Sequence, residues 1–586
     1  MKKPFLYFIF FLFAFSASGQ YYLRGEIKGQ KNTGIQNVKI FIHSAKANYY
    51  TGSNGSFGIT INKLYDSITL TMEGYEIQTL KVKTDVWQTI TLKLAADGIS
   101  KNKPKLISIS RNEIKSAKFN WYSQDETYFQ LVENDYVNTA KYPNTGFSLN
   151  VNKASYSNIR RFLNMKSTVP PDAVRVEELV NYFNLHYRTP EKKEVFRIES
   201  QLTDCPWNAK EQLLFLNVSA KKLELDKIPP SNFVFLIDVS GSMDMPNRLP
   251  LLQAAFQLFV KNLRAIDTVS IVTYGGTVGI WLQPTSGVEK EKICKSIEQL
   301  TAAGDTPGES AIRTAYKLAS RTFIKGGNNR VILATDGDFN VGESTEKALE
   351  ELIIKQRQTG VYLTCLGVGM GNLKDSKLQT LAKKGNGNYA YIDDIREAEK
   401  ILVKELTQTF YAVADNVFMD IRFNPSFVKQ YRLIGFDNKK EALTDTTSDL
   451  EGGEVGSGNS TLAIFQIVPA DPNNYNTKEK MARVCLRYRV CNDTSQLELG
   501  YTVNANYLPI DSVSKELKFA AAVSLFALRL RQSAYLDYGD WDLIANLASA
   551  SADESYLQQE FIQLIEKARK LYPIKKKKKK NTESSN

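Results

Sequence analysis

One carboxylate and two hydroxyl side chains follow a strongly apolar run of the sequence at alternate positions. They are Asp238, Ser240 and Ser242, and the apolar run occupies residues 233–237. The run predicts a buried strand, and the carboxyl end of a parallel strand is where open α/β sheets bind their ligands. Oxygen atoms gathered at such an edge suit a hard divalent cation, and Mg²⁺ in particular takes octahedral oxygen ligands.

Two further side chains with oxygen atoms occupy predicted loops downstream. Thr306 lies in Ala303-Gly-Asp-Thr-Pro-Gly308, and Asp336 directly follows the predicted strand at residues 330–334. Helix capping by Ser and Thr, and an ordinary turn at Asp336-Gly337, would explain each piece separately. They would not explain why the pieces follow successive strands, so we favour a single metal site.

This spacing resembles the metal-ion-dependent adhesion site of the von Willebrand factor type A (VWA) domain. In that family the two serines ligate the metal directly, the threonine joins from a second loop, and the aspartates act mostly through water. A carboxylate of a protein ligand completes the metal shell. The resemblance therefore implies Mg²⁺, or Mn²⁺ or Ca²⁺, held by Asp238, Ser240, Ser242, Thr306 and Asp336.

The elements around these residues predict a doubly wound α/β domain at residues 231–408. Leu249, Leu252, Phe256 and Phe259 fall on one helical face, and buried strands are predicted at 269–274 and 361–368. Strands that alternate with helices indicate a mostly parallel sheet that helices cover on both sides.

Strand patterns flank this domain at residues 194–226 and 413–505. A few strands alone are marginally stable, so we expect both sets to form one β-sandwich in which the VWA domain is inserted. Residues 141–230 also contain a helical segment that resembles the one preceding the metal domain in a group of bacterial VWA proteins. Residues 409–572 end in predicted helices and resemble the domain of unknown function that accompanies the same group.

The remaining segments lie at the two ends of the chain. Residues 1–19 have the charged, apolar and small-residue regions of a signal peptide, and the apolar run is short for the alternative, a membrane-spanning helix. Residues 20–95 predict a β-sandwich that resembles the carboxypeptidase regulatory-like domain, an accessory module. Residues 96–140 have the composition of a linker, and residues 573–586 predict a disordered basic tail.

Charge is concentrated at the ends of the chain. Most of the formal net charge of +12 comes from Lys2, Lys3 and the six lysines at 575–580. Because no basic stripe interleaved with aromatic residues occurs inside a domain, we expect no nucleic-acid partner. The lysine tail either solubilises the chain or contacts an anionic envelope surface.

Residues for catalysis are sparse. The two histidines, His43 and His186, lie in different predicted modules, so a Ser-His-Asp triad within the metal domain is excluded. Five cysteines indicate free thiols rather than a disulfide framework, although Cys205 could pair with Cys485 or Cys491.

Together these patterns predict a noncatalytic, metal-dependent protein-binding or adhesive component of the cell envelope. The signal peptide predicts export to the periplasm or cell surface, and the partner would be a protein that presents a carboxylate. The alternative is an envelope scaffold in which the metal site is structural.

Overall fold

The structure is a computed structural model that describes residues 21–29, 33–52, 54–72, 75–93, 126–304, 308–337, 346–436, 452–471, 479–491, 495–536 and 540–573. The predicted signal peptide and residues 574–586 of the predicted basic tail lie outside these ranges. The chain divides into two compact units. The N-terminal unit comprises residues 1–113 together with 274–278 and 303–307, and the main unit comprises residues 114–273, 279–302 and 308–586.

The described residues between 21 and 93 of the N-terminal unit contain seven strands: β1 (Tyr21–Lys28), β2 (Lys39–Ile42), β3 (Ala47–Tyr50), β4 (Ser56–Ile61), β5 (Tyr65–Thr71), β6 (Gln78–Lys83) and β7 (Trp87–Thr91). They make two sheets, with orders β4-β1-β7 and β3-β2-β5-β6. Alternate side chains of both sheets fill one apolar core because successive side chains of a strand point to opposite faces. The predicted β-sandwich is therefore present, and its resemblance to the carboxypeptidase regulatory-like domain stays a prediction.

The first elements of the main unit precede the metal domain. They are β8 (Val137–Asn138), β9 (Asn144–Ser148), α1 (Ala154–Asn164), α2 (Val176–Tyr182), β10 (Phe196–Asp204) and β11 (Gln212–Ala220).

The predicted linker at residues 96–140 differs from the structure in its last part. Glu126 forms an ion pair with Arg161, and Val137 is buried where β8 pairs with a later strand of the main unit. Residues 126–140 are thus packed within the main unit. Their mostly irregular backbone gives no sequence periodicity, which is why composition alone predicted a linker.

The α/β domain follows. Its elements are β12 (Ser231–Asp238), α3 (Leu249–Lys261), β13 (Thr268–Gly275), β14 (Thr277–Ser286), α4 (Lys290–Glu298), α5 (Gly308–Arg321), β15 (Asn328–Thr335), α6 (Glu346–Gln358), β16 (Val361–Val368), α7 (Asp375–Lys384), β17 (Tyr389–Ile392), α8 (Ile395–Glu399) and α9 (Leu406–Phe410). The sheet order is β14-β13-β12-β15-β16-β17, and the pairs from β12 to β17 are parallel. Every residue of β12 is buried, as expected for a strand that is covered on both faces.

The last elements of the main unit are β18 (Ala412–Phe423), β19 (Val428–Ile434), β20 (Gly453–Gly456), β21 (Ser460–Pro469), β22 (Lys480–Val490), β23 (Gln496–Asn504), α10 (Lys515–Arg531), α11 (Trp541–Ser551) and α12 (Tyr556–Leu571). The three helices α10, α11 and α12 lie in the part of the chain that the sequence predicts as helical, and α11 has a clear N-terminal cap. It begins after Asp540, whose side chain accepts a hydrogen bond from the Leu543 amide at 2.8 Å. None of the helices within the described ranges has the length and apolar character needed to span a membrane.

Strands from both sides of the α/β domain pair directly. One sheet has the order β10-β11-β21-β19-β8, and β11 pairs with β21 so that Leu214 lies opposite Phe465. The second sheet has the order β20-β18-β22-β23, with β9 also beside β18. Both sheets contribute to one core, for example through Leu216, Met419 and Val484. The predicted insertion of the α/β domain into a β-sandwich is therefore confirmed.

Candidate metal centre

Four of the five predicted site residues lie at one edge of the α/β sheet. Asp238 is the last residue of β12, a short 3₁₀ turn at Gly241–Met243 carries Ser242, and Asp336 directly follows β15. β12 and β15 are adjacent and parallel, with Ile237 opposite Ala334. Their carboxyl ends therefore meet at the same edge, as the sequence pattern predicted.

Asp238 is fully buried and its carboxylate is held by neighbouring donors. Its Oδ1 accepts a hydrogen bond from the Ser240 amide at 2.9 Å, and its Oδ2 accepts one from the Thr335 hydroxyl at 2.8 Å. Burial, and then the nearby charge of Asp336, raise the pKa of Asp238 to about 7. A cation at this edge would favour the ionised carboxylate.

The two serine hydroxyls face each other at the start of the same loop. Ser240 Oγ lies 3.1 Å from Ser242 Oγ. Together with the carboxylates they form a ligand set made only of oxygen, which fits Mg²⁺ better than a soft transition metal.

Arg248 was not predicted, yet it connects three loops of this edge. Its Nη1 donates to Asp336 Oδ2 at 2.6 Å and to the Ser242 carbonyl at 2.7 Å, and its Nη2 donates to Asn372 Oδ1 at 2.9 Å. Asn372 in turn donates from Nδ2 to Asp336 Oδ2 at 3.0 Å. Asp336 is therefore held in a fixed orientation and its negative charge is partly compensated.

The loop that carries Asn372 is anchored by residues that precede the α/β domain. The Gly371 amide donates to Glu126 Oε1 at 2.8 Å, and Arg175 Nη1 lies 2.7 Å from Asp375 Oδ2. Burial opposes ionisation of Glu126, but its contacts with Arg161 and the Gly371 amide outweigh burial and lower its pKa. The segment before the domain thus supports the metal-site edge.

Thr306, the fifth predicted ligand, lies outside the described residues. Among the residues that are described, no group of three or more His, Cys, Asp or Glu side chains could hold a metal ion. A metal at this edge would therefore depend on the serine hydroxyls as well as on the carboxylates. The role of all five residues as ligands stays a prediction.

The histidines considered for catalysis make ordinary polar contacts, and the cysteines considered for disulfides are unpaired. His186 Nε2 lies 3.4 Å from Glu199 in the main unit, and His43 Nε2 lies 2.8 Å from the Thr69 hydroxyl in the N-terminal unit. All five cysteines are free thiols, including the buried Cys205.

Comparison with protein families agrees with this fold. A family model of the von Willebrand factor type A domain matches residues 233–338, and a model described as von Willebrand factor matches residues 122–215. A third model, described as the C-terminal part of the uncharacterized protein YfbK, matches residues 408–571. The fold and these matches define a multidomain protein with a VWA domain. Proteins of this class often serve in adhesion or protein interaction, and their VWA domains are generally noncatalytic.

Individual relatives show which family of VWA proteins the chain belongs to. The uncharacterized protein YfbK of Escherichia coli (strain K12) is 37% identical over 470 residues, which cover 75% of this chain and 80% of that protein. The chain belongs to the YfbK family. The magnesium-chelatase 67 kDa subunit of Chlorobaculum parvum is 27% identical over 192 residues, which cover 30% of each chain. Among solved structures, a von Willebrand factor type A protein from Catenulispora acidiphila has a TM-score of 0.40 at 13% identity and covers 64% of this chain and 90% of that chain.

Proposed function

We propose that the chain is an exported, noncatalytic component of the cell envelope that binds a partner protein through a divalent metal ion. The ion would be Mg²⁺, or Mn²⁺ or Ca²⁺, held by Asp238, Ser240, Ser242, Thr306 and Asp336. The observation that carries the proposal is the convergence of two buried carboxylates and two hydroxyls at one sheet edge. A bound ion with an incomplete shell would attract a carboxylate of the partner.

Calorimetric titration with Mg²⁺ tests the metal site. The wild type is expected to bind the ion, and Asp238→Ala is expected to abolish binding. Ser242→Ala, which changes an exposed side chain and so preserves the fold, is expected to weaken binding about tenfold because it removes one hydroxyl ligand. Asp244→Ala removes an exposed carboxylate from the same loop and serves as the matched control. Equal metal uptake by the wild type and Asp238→Ala would refute the assignment.

Capture from envelope extracts tests the binding role. Full-length wild type is expected to retain a partner protein, and a chelator is expected to release it. The Ser242→Ala variant is expected to retain less of the same partner. Capture that is unchanged by chelator and by the substitution would favour the scaffold alternative, with a structural metal site.

A further inference from the structure

The outward face of the four-stranded sheet in the N-terminal unit carries a line of rings. Tyr50 lies opposite Lys39, Phe41 lies opposite Asn48, and Tyr65 lies opposite Lys83. Directly opposed residues share a face, and the alternate residues of these strands fill the core, so these side chains point outward.

The rings cross the sheet diagonally. Tyr50 is on β3, Phe41 is on β2 with His43 just after it, and Tyr65 is on β5. The Phe41 and His43 ring centroids are 5.1 Å apart. With strands about 4.8 Å apart and about 3.3 Å per residue, the line from Tyr50 to Tyr65 is roughly 20 Å long. This length suits an extended polymer better than a small molecule.

Exposure of large apolar side chains is concentrated in this unit. Tyr50 is 52% exposed and Tyr65 is 64% exposed. Of the eighteen large apolar side chains that are exposed among the described residues, six belong to the N-terminal unit. Singly exposed apolar residues are ordinary, but an aligned set on one face indicates a binding surface.

The same face is basic. Lys39, Lys81 and Lys83 lie beside the rings, and Lys83 also contacts Asp85 in the following turn at 3.1 Å. Within the four strands, all of which are described, the single carboxylate is Asp66, whose side chain is buried and accepts a hydrogen bond from the Ser44 amide. Charge complementarity therefore favours an anionic partner.

Hydroxyl groups of threonine lie on the same face as the rings and the lysines. His43 Nε2 is 2.8 Å from the Thr69 hydroxyl, which is 2.9 Å from the Thr79 hydroxyl on β6. The face thus offers hydrogen-bonding hydroxyls between aromatic rings and ammonium groups.

We propose that this face binds an acidic polysaccharide. The apolar C–H faces of sugar rings would stack on the aromatic rings, sugar hydroxyls would bond the threonines, and carboxylate or phosphate substituents would contact the lysines. Nucleic acid is disfavoured because the face has no arginine, the residue best suited to bidentate recognition of phosphate.

Titration of the full-length protein with polygalacturonate, a polymer of uronic acid, tests the proposal. Tyr50→Ala/Tyr65→Ala and Lys39→Ala/Lys81→Ala are each expected to lower the affinity about tenfold, because each removes two of the proposed contacts. The lysine variant should also reduce the dependence of binding on salt. Arg24→Ala/Trp87→Ala is the matched control, since it removes a cation and an exposed ring that lie opposite each other on the other sheet.

All of these substitutions are on the surface, and equal melting temperatures would verify that the unit stays folded. The proposal is overturned if wild type does not bind the polymer, or if the face variants bind as tightly as the control variant. It is also overturned if neutral dextran or a thymidine oligonucleotide binds at least as tightly as polygalacturonate.

Discussion

At the level of single residues, Arg248 determines the charge of the metal-site edge. Asp238 and Asp336 are both fully buried. Arg248 forms an ion pair with Asp336. The three side chains together retain a single excess negative charge when both aspartates are ionised. A divalent ion would make the edge positive, which favours capture of an anionic ligand group.

Replacing Arg248 by methionine tests this role. The variant should lose about 3 kcal/mol of stability without metal, because the buried carboxylate of Asp336 loses its ion pair with Arg248. Mg²⁺ should then raise its melting temperature by more than it raises that of the wild type. Arg264→Met, which breaks the Arg264–Asp267 pair elsewhere in the domain, is the control and should leave the Mg²⁺-induced rise unchanged. Equal rises in all three proteins would contradict this role.

Glu178 makes stability depend on pH. Burial raises the pKa of this carboxyl to about 7, although Arg175, at 2.6 Å, opposes the shift. Since the pKa is higher in the folded protein than in the unfolded chain, the contribution of Glu178 is full below pH about 4.5 and is lost as pH rises through about 7.

We therefore expect the wild type to lose stability relative to Glu178→Gln between pH 5 and pH 8, by up to about 3 kcal/mol. Thermal melts of both proteins across this range measure the difference. Glu177→Gln, at the neighbouring position, is the control. A constant difference between wild type and Glu178→Gln would show that the carboxyl does not titrate in this range.

The sequence predicted the convergence of Asp238, Ser240, Ser242 and Asp336 because each follows a strand, and parallel strands end at a common edge. The sequence did not predict that Arg248 and Asn372 contact Asp336. Their contacts depend on the conformations of loops that are separate in the sequence, and an arginine before a helix or an asparagine in a loop is ordinary in composition.

At the level of elements, the loop between β16 and α7 is held from outside the α/β domain. Glu126 binds the Gly371 amide, and Arg175, beside α2, binds Asp375 at the start of α7. Residues 126–140 had the composition of a linker, so this support was not predictable. Residues 126–140 are held in place by ion pairs and buried contacts with residues that are distant in the sequence. Such contacts leave no local periodicity.

Glu126→Gln should weaken Mg²⁺ binding about tenfold, because outer-shell residues that orient a metal site commonly contribute this much to affinity. The substitution removes the charge that Arg161 and the Gly371 amide contact, so the loop carrying Asn372 should loosen. Calorimetric titration measures the effect. Glu133→Gln is the control, since Glu133 lies in the same segment but faces Arg432. Unchanged affinity in Glu126→Gln would contradict the coupling.

At the level of the whole molecule, the sandwich depends on both sides of the inserted domain. β11 lies between β10 and β21, so a fragment of residues 409–573 would expose the edge of β21 and the core residues that pack against the missing strands. We expect this fragment to be unfolded or aggregated when expressed alone, as measured by circular dichroism and size-exclusion chromatography. A monomeric, cooperatively melting fragment would contradict this dependence.

The insertion also has a mechanical consequence. The chain enters the α/β domain at Ser231 and leaves it beside Tyr411, and the hydroxyls of these two residues are 2.9 Å apart. A pulling force on the inserted domain would be shared by two covalent connections loaded side by side. A force between the strands that precede the inserted domain and those that follow it would instead act on the antiparallel β11–β21 pairing, without passing through the inserted domain.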